Sequence, residues 1–376
     1  MQTNRFETFM DAVLAIIITV LVLKLPQPSS ATWSAIWVLN TKYLTYALCF
    51  LIIFNTWYID HNLFQLVDKI NNNVVMVYGV LLFSISLLPY FASWVSIHPH
   101  EIAAQTMFGL LFLVNSVCYL ISTYLIIQAN PYNEKLKKIN LKDIKLYVPI
   151  IILLIGFIVS YTVYVQGIYI CCIISTLYWF LSVILTKHEI ESSERFEAFF
   201  DAIVAIVLTI IVLEISMAPT GMWQDLFELK VEFLAYLVSF IVCFNFWNYN
   251  NNLFSIVNKI DAKVIWSVAA SMFVLSLIPY LSTFVAMNFD SFVAQACYGI
   301  DFIVVALLSI FTSNALKNAD PGNIALLMAL ENHLQLYSTV IVVGIAMVIG
   351  YFFYPPVIIL SCLISIILVW LIPKIG

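Results

Sequence analysis

The sequence contains the same polar-tipped apolar stretch twice. The first copy, residues 5–25, reads RFETFMDAVLAIIITVLVLKL, and the second, residues 195–215, reads RFEAFFDAIVAIVLTIIVLEI. Eleven of the first twenty positions are identical at a constant offset of 190 residues. Carboxylates cost about 2.5–3.5 kcal/mol at mid-bilayer and less near its edge, so they normally face a protein interior or a water path. We therefore expect these two helices to line the functional part of a membrane protein.

The similarity between the two halves continues well beyond this stretch. Identical residues recur at the same offset in both halves: Trp57 and Trp247, Pro89 and Pro279, Gln105 and Gln295, Gly109 and Gly299. An ungapped register over about 100 residues indicates the duplication of one unit. We therefore expect a first repeat over residues 1–186, a linker over 187–194 and a second repeat over 195–376.

The composition restricts the class of protein. Of the 376 residues, 63% are apolar and 10% are charged, which favours an integral membrane protein. The net charge of −5 gives no footprint for nucleic acid. The seven cysteines lie in apolar segments without paired loop spacing, so we expect neither disulfides nor a metal site. Because the repeats share no nucleophile–base or metal-ligand constellation, we also expect no enzyme activity and no cofactor.

Apolar windows bounded by polar or proline-containing breaks predict twelve transmembrane helices. They cover about residues 6–25, 43–66, 74–97, 102–127, 147–165, 167–186, 196–215, 232–256, 264–288, 292–314, 335–354 and 356–373. The breaks at 165–167 and 354–356 are short enough that those pairs could be wrongly divided. Pro89 and Pro279 predict a kink or an end in the equivalent third spans. The expected fold is an all-α integral membrane protein with two six-helix repeats.

Positive charge predicts the orientation of the chain. Thirteen of the sixteen basic residues fall on the side of the N-terminus: Arg5, Lys69, Lys135, Lys137, Lys138, Lys142, Lys145, Lys187, Arg195, Lys259, Lys263, Lys317 and Lys374. The positive-inside rule then places both termini in the cytoplasm, and six spans per repeat make the repeats parallel. Short termini favour a bacterial plasma membrane. Between the first and second spans, Trp33 and Trp37, like Trp223 and Phe227, predict a short helix at the opposite membrane interface.

One face of the first helix repeats in both halves. Ala12, Ile16, Thr19 and Leu23 are spaced by four, three and four residues, and the same spacing recurs in the second half at Ala202, Ile206, Thr209 and Leu213. Small residues and threonine also suit a plain seam between membrane helices. The alternative is a pore with an isoleucine constriction, which would close by dewetting, and a threonine layer beside it.

Polar residues near the start of the first span and near the end of the second span lie at matching depth. Asp11 and His61 both lie about 8 Å inside the cytoplasmic boundary, and Trp57 lies one turn deeper on the face of His61. Together with Arg5, these groups could satisfy one another in a network. In the second repeat, Asn251 replaces His61. The main role of the aspartates could be to anchor the helix, with proton sensing as an addition.

These residues resemble a known family, the potassium channels of the transmembrane protein 175 type. The family signature R-x-x-x-F-S-D is matched by Arg5, Phe9 and Asp11 and by Arg195, Phe199 and Asp201. Its serine is replaced by Met10 and Phe200. Trp57 and His61 also resemble the second helix of the family, and the corresponding positions of the second repeat are Trp247 and Asn251.

The resemblance implies a pore without a carbonyl selectivity filter. Two-repeat members form dimers, so four first helices surround the axis with pseudo-fourfold symmetry. The gate of the family corresponds to Ile16 and Ile206, and its hydroxyl layer to Thr19 and Thr209. A family serine just before the gate is alanine in both repeats, which removes one polar contributor to selectivity.

The sequence is compatible with three functions. The first is a passive channel for potassium and possibly other monovalent cations, gated at the isoleucines and active as a homodimer in the lipid bilayer. The second is a proton channel or proton-coupled transporter, although transporters usually have broken helices around a midplane site. The third is an intramembrane enzyme or lipid scramblase.

Overall fold

The computed structural model describes residues 3–137, 139–185, 189–190, 193–220, 222–330 and 334–371. It divides into two compact units: Met1–Leu25 with Asn40–Lys187, called unit 1, and Pro26–Leu39 with His188–Gly376, called unit 2. Four residues of the predicted linker (187, 188, 191 and 192) and the predicted cytoplasmic residues Lys138, Lys187 and Lys374 lie outside the described residues.

Over the described residues, unit 1 contains eight helices and two short 3₁₀ turns. The helices are α1 (Thr3–Val20), α3 (Asn40–Phe64), α4 (Asn72–Ser86), α5 (Leu88–Ile97), α6 (Ile102–Ala129), α7 (Glu134–Lys137), α8 (Val148–Thr162) and α9 (Gly167–Leu185). A 3₁₀ turn, Leu21–Lys24, extends α1, and another, Ile144–Leu146, precedes α8.

Unit 2 repeats this order and adds one short helix from the first half of the chain. Its helices are α2 (Trp33–Val38), α10 (Glu194–Leu213), α11 (Trp223–Glu228), α12 (Lys230–Phe254), α13 (Ala262–Leu275), α14 (Ile278–Met287), α15 (Phe292–Ala319), α16 (Ile324–Leu330), α17 (Leu334–Phe352) and α18 (Val357–Leu371). Two-residue strands, β1 (Glu189–Ile190) and β2 (Ile260–Asp261), pair antiparallel. The predicted all-α class is confirmed, with this small pairing as the exception.

Eight helical stretches are long and apolar enough to cross a membrane, each counted over the described residues. They are α1 with its 3₁₀ turn, α3, α4 with α5, and α6, and in unit 2 α10, α12, α13 with α14, and α15. The helices α8, α9, α17 and α18 are apolar but shorter over the residues described. All twelve stretches lie at positions predicted for spans, and the protein is a multi-pass membrane protein.

The third span of each repeat is broken at its proline, as predicted. α4 ends at Ser86 and α5 begins at Leu88, so that Pro89 stands in the first turn of α5. The same break separates α13 from α14, with Pro279 in the first turn. Proline is tolerated there because its missing N–H has no partner within the helix at that position.

The last two helices of each repeat are separate, which resolves the short breaks in the sequence. In unit 1 the tight connection is held by Ser160, whose hydroxyl donates to the carbonyl of Val165 at 2.8 Å and accepts from the backbone N–H of Ile168 at 2.7 Å. Close packing of α8 on α9 requires a glycine at position 156, because a Cβ there would lie 2.7 Å from Cβ of Cys171. This contact fixes the hairpin geometry.

Residues 26–39, which fall within the predicted first repeat, pack within unit 2. The side-chain amide of Gln27 donates to the carbonyl of Tyr280 at 3.0 Å, and the Tyr280 hydroxyl donates to the carbonyl of Pro26 at 3.2 Å. The short helix α2 leaves Trp33 and Trp37 exposed, and α11 leaves its aromatic residues exposed in the same way. These exposed aromatic side chains suit a position at the membrane interface.

Candidate functional site

The first helix of unit 1 has one packed side and one exposed side. With neither Gly nor Pro between Thr3 and Val20, α1 runs without a break and satisfies its own backbone hydrogen bonds, as a membrane requires. Met10, Leu14 and Ile18 are buried against the unit. Ala12 is exposed, and Ile16 and Leu23 retain 49% and 40% of their accessible surface. Three residues of the predicted face therefore form an exposed stripe.

Thr19 does not belong to this stripe in unit 1. Its side chain is fully buried, and its hydroxyl lies 2.9 Å from the carbonyl oxygens of both Ala15 and Ile16. At about 100° per residue, Thr19 lies some 60° around the helix from Ile16, at the edge of the predicted face. This edge of α1 is packed within unit 1, and the carbonyls of Ala15 and Ile16 act as acceptors for the Thr19 hydroxyl.

The equivalent helix of unit 2 presents its predicted face differently. Thr209 is exposed, and its hydroxyl donates to the carbonyl of Ile206 at 2.8 Å. Leu213 retains 73% of its accessible surface, whereas Ala202 and Ile206 are half-buried. All four predicted residues of α10 are therefore at least partly exposed. In this unit the threonine is exposed as well, unlike Thr19 in unit 1.

One hydrogen bond ties the first helix to the second in both units. The indole N–H of Trp57 donates to Oδ1 of Asp11 at 2.9 Å, and that of Trp247 donates to Oδ1 of Asp201 at 2.7 Å. In unit 1 both partners are buried, whereas Asp201 is exposed. The pair joins the polar end of α1 to α3, and that of α10 to α12.

His61 joins this pair in unit 1. Its ring is 1% exposed and stacks on Trp57, with the ring centroids 4.9 Å apart and the planes inclined by 16°. Its Nε2 lies 2.9 Å from the amide nitrogen of Gln65. In unit 2, Asn251 takes the place of His61 and is exposed. The stacked imidazole is therefore a feature of the first repeat alone.

The remaining motif residues occupy different environments in the two repeats. Arg5 is exposed and Arg195 is half-buried. Phe9 is exposed, whereas Phe199 is fully buried. The structure thus brings together Asp11, Trp57 and His61 in unit 1, and it brings together the aspartate and tryptophan in unit 2.

A second buried carboxylate was missed by the sequence analysis. Asp60 is 2% exposed, and its Oδ1 accepts a hydrogen bond from the hydroxyl of Tyr78 at 2.9 Å. In unit 2 the equivalent residue is Asn250, whose amide donates to the carbonyl of Phe246 at 2.9 Å. A carboxylate within an apolar helix is itself a signal of function, so Asp60 could have been found from the sequence.

Asp301 is a further buried carboxylate, and it lies in α15 where the first repeat has Leu111. Its Oδ2 has no hydrogen-bond partner among the described residues. Over the same part of the chain, no cluster of three His, Cys, Asp or Glu side chains could hold a metal ion.

Comparison with known proteins places this arrangement in a family. The family model described as "Endosomal/lysosomal potassium channel TMEM175" matches twice, over residues 5–89 and 195–279. These ranges run from the motif arginine to the proline region of the third span in each repeat. They differ by the offset of 190 residues seen in the sequence, which confirms the internal repeat.

Similar proteins come from bacteria and vertebrates. A potassium channel of Chryseobacterium sp. (strain P1-3) is 33% identical over 181 residues, which cover 48% of this chain and 92% of that protein. The endosomal/lysosomal proton channel TMEM175 of Danio rerio is 25% identical over 306 residues, covering 69% of this chain and 59% of that protein. The Mus musculus protein of the same name is also 25% identical, and the match covers 61% of it. The chain therefore belongs to the TMEM175 family.

Proposed function

We propose that this protein is a potassium-permeable cation channel whose pore is lined by α1 and α10. The observation that carries the proposal is the exposed stripe of Ala12, Ile16 and Leu23 on a helix whose other side is packed and whose polar end is tied down. The relatives support a cation channel, since their names describe channels for potassium or protons. The family is one of channels rather than of enzymes.

The proposed gate is an isoleucine constriction formed by Ile16 and Ile206. An apolar ring can hold a narrow pore closed by expelling water, with no need for a moving plug. The exposure of Ile16 supports this role, because the next two residues, Ile17 and Ile18, are buried. The predicted hydroxyl layer is supported more strongly by Thr209, which is exposed, than by Thr19, whose hydroxyl is bound within its own helix.

We further propose that the pore is completed in a homodimer. One chain supplies two first helices, and a second copy would supply two more around a common axis. The apolar exposed stripe of α1 must be covered by lipid, by a partner or by a closed dry pore, and a homodimer accounts for the repeated pattern. The mass of the reconstituted protein, measured by light scattering with the lipid and detergent contribution subtracted, should equal two chains.

The proposed role of the Asp–Trp pair is to anchor the first helices. An indole N–H is a donor only, so this hydrogen bond fixes the position of the carboxylate oxygen that accepts it. The pair occurs in both repeats, as an anchor for equivalent helices should. A carboxylate that relays protons would have to exchange this donor for water during each transfer.

Proton conduction is the second candidate, and the buried His61 favours it. Imidazole changes its charge between about pH 5 and 8, and this ring lies directly on the Trp57 that holds Asp11. The vertebrate relatives are named proton channels. Asn251 argues against equivalent proton relays in both repeats, because an asparagine side chain cannot titrate.

The test is a set of separate ion gradients across liposomes that contain the purified protein. We expect the reversal potential to follow the potassium gradient at constant pH and to respond little to an imposed proton gradient. A reversal potential that follows the pH gradient alone would replace the potassium proposal with the proton one. Absence of any flux above empty liposomes would contradict both.

We also propose a bacterial plasma membrane with both termini in the cytoplasm. Lys69 and the lysines between α6 and α8 lie at the same end of unit 1 as Arg5, because the helices alternate in direction. Cytoplasmic placement of these lysines follows the positive-inside rule. A reporter enzyme that functions only in the cytoplasm should be active when it is fused after residue 376. Activity of a reporter that functions only in the periplasm, fused at the same position, would contradict the orientation.

A further inference from the structure

We propose that unit 1 carries a binding site for a phosphate group at the end opposite Arg5, formed by Lys24, Lys42 and Ser93. This site is separate from the Asp–Trp pair and from the proposed gate. It would be filled by a phosphate ester of a lipid headgroup or by free phosphate, which present the same anionic oxygens.

The site is an open pocket at the surface of unit 1. Lys24 lies at the end of the 3₁₀ turn that extends α1, Lys42 lies in the first turn of α3, and Ser93 lies on α5. Leu21 and Pro89 supply part of the apolar lining. Three different elements of unit 1 therefore direct polar residues to one pocket at the edge of the apolar region.

Two of these residues, Lys24 and Lys42, are cations. Among the described residues, neither ammonium group is paired with a carboxylate, and no Asp or Glu lines the pocket. Like charges in one pocket repel each other, so a bound anion would stabilise both. Lysine binds phosphate as a compact point charge with three donors.

The hydroxyl groups of the pocket differ in their availability. The hydroxyl of Thr45 is engaged with the carbonyl of Thr41 at 2.7 Å and with the hydroxyl of Tyr169 at 2.8 Å. Ser96 donates to the carbonyl of Ser93 at 2.7 Å. The hydroxyl of Ser93 makes no hydrogen bond to another described residue. It is therefore a neutral donor that remains available for an anion beside the two lysines.

The second repeat shows what occupies the equivalent position when the charges are reversed. At the offset of 190 residues, Lys24 corresponds to Glu214, Lys42 to Glu232, and Ser93 to Thr283. The hydroxyl of Thr283 donates to Oε2 of Glu214 at 3.0 Å, and Oε2 of Glu232 accepts from the backbone N–H of Ser216 at 2.6 Å. In unit 2, carboxylates of the chain itself therefore satisfy these donors.

In unit 1 an external anion would take the place of that carboxylate. The hydroxyl is retained as Ser93, but the acceptor beside it is replaced by a lysine. A phosphate oxygen could accept from Ser93 while its charge is shared by Lys24 and Lys42. The apolar lining at Leu21 and Pro89 suits the ester side of a phosphate more than it suits a fully hydrated ion.

The test is calorimetric titration of the full chain, purified in dodecyl maltoside, which contains no phosphate. The probes are inorganic phosphate and dihexanoyl phosphatidylglycerol, a soluble short-chain lipid. We expect the Lys24→Gln/Lys42→Gln variant to bind about 100-fold more weakly, because it loses two charge-assisted contacts. The Lys24→Arg/Lys42→Arg variant should keep affinity within a few fold.

The repeat provides a matched control. The Glu214→Gln/Glu232→Gln variant removes two charges from the equivalent positions of unit 2 and should bind both probes as the natural chain does. Ser93→Ala, a small change that preserves packing, should weaken binding about tenfold through loss of one hydrogen bond to a charged group.

Each outcome of the titration has a defined meaning. Binding of both probes supports a general phosphate site, and binding of the lipid alone supports a headgroup site. If the natural chain binds neither probe, or if the Lys24→Gln/Lys42→Gln variant binds as tightly as the natural chain, the proposal is wrong. The result does not depend on ion flux, so it stands or falls separately from the channel proposal.

Discussion

At the scale of single residues, the same Trp–Asp hydrogen bond occurs in two different environments. The Trp57–Asp11 bond is buried, whereas the Trp247–Asp201 bond has an exposed carboxylate that water can reach. A buried acceptor that loses its donor cannot be compensated by solvent, and this costs about 1–3 kcal/mol or more for a charged group. The two repeats should therefore respond unequally to the same substitution.

We predict that Trp57→Phe lowers the free energy of unfolding by more than about 2 kcal/mol, since it adds a cavity to the loss of the donor. Trp247→Phe should lower it less, because Asp201 can be hydrated. The measurement is denaturant unfolding of both variants in the same detergent. Equal losses, or a larger loss in the second repeat, would contradict the proposed anchor.

The buried Tyr78–Asp60 bond leads to a second prediction at this scale. Tyr78→Phe keeps the ring but removes the hydroxyl that donates to Asp60 at 2.9 Å, and we expect a loss of about 1–3 kcal/mol. Tyr132→Phe is the control, because Tyr132 is 92% exposed. Thermal unfolding should separate the two variants, and an unchanged midpoint for Tyr78→Phe would show that the hydroxyl contributes nothing to stability.

At the scale of elements, local signals predicted most of the helices. The proline break in each third span follows from the missing N–H of Pro89 and Pro279, and the apolar windows locate the other helices. The position of Thr19 could not be predicted to the same degree, because spacing along a helix defines a face but not which neighbour covers its edge. The packing of residues 26–39 with unit 2 is a long-range contact that no local pattern contains.

The chemistry of the site was predictable in part. The depth of Asp11 and Trp57 along their helices suggested that they could meet, and the hydrogen bond joins them. The stacking of His61 on Trp57 follows from their spacing of one helical turn. The different burial of Asp11 and Asp201 depends on the whole fold, so their nearly identical local sequences could not reveal it.

The turn after α15 leads to a prediction about pH. Burial by itself would raise the pKa of Asp320, but hydrogen bonds from the side chain of Asn323 and the backbone N–H of Asn258, both at 2.9 Å, hold the pKa below its ordinary value. The stability that Asp320 contributes is therefore present above the ordinary aspartate pKa of about 3.9 and is lost as the pH falls through the lowered value.

We expect Asp320→Asn to remove part of the acid sensitivity of unit 2. The first repeat has Asn130 at this position, which accepts from the backbone N–H of Lys69 at 2.9 Å without any charge to titrate. Unfolding midpoints between about pH 3 and 7 should fall less steeply in this variant than in the natural chain. Asp290→Asn, at an exposed position, is the control, and parallel curves for Asp320→Asn and the natural chain would contradict the assignment.

At the scale of the whole molecule, two repeats share a scaffold and differ in charge. Both keep the first helix, the Asp–Trp pair and the proline break. Several polar positions differ between the repeats: His61 and Asn251, Asp60 and Asn250, Lys24 and Glu214, Lys42 and Glu232, and Leu111 and Asp301. In the proposed homodimer, the charge distribution around the axis would therefore have only twofold symmetry. The first helices themselves would approach fourfold symmetry.

The most direct test of the proposed pore is flux through liposomes that contain the Ile16→Asn/Ile206→Asn variant. Polar side chains would wet the constriction, so we predict basal potassium flux at least about tenfold above that of the natural chain. The control is Ile158→Asn/Val348→Asn, which changes exposed apolar residues at equivalent positions of α8 and α17 and should leave flux unchanged. Unchanged flux in the first variant, or an equal increase in the control, would contradict a pore gated by the first helices.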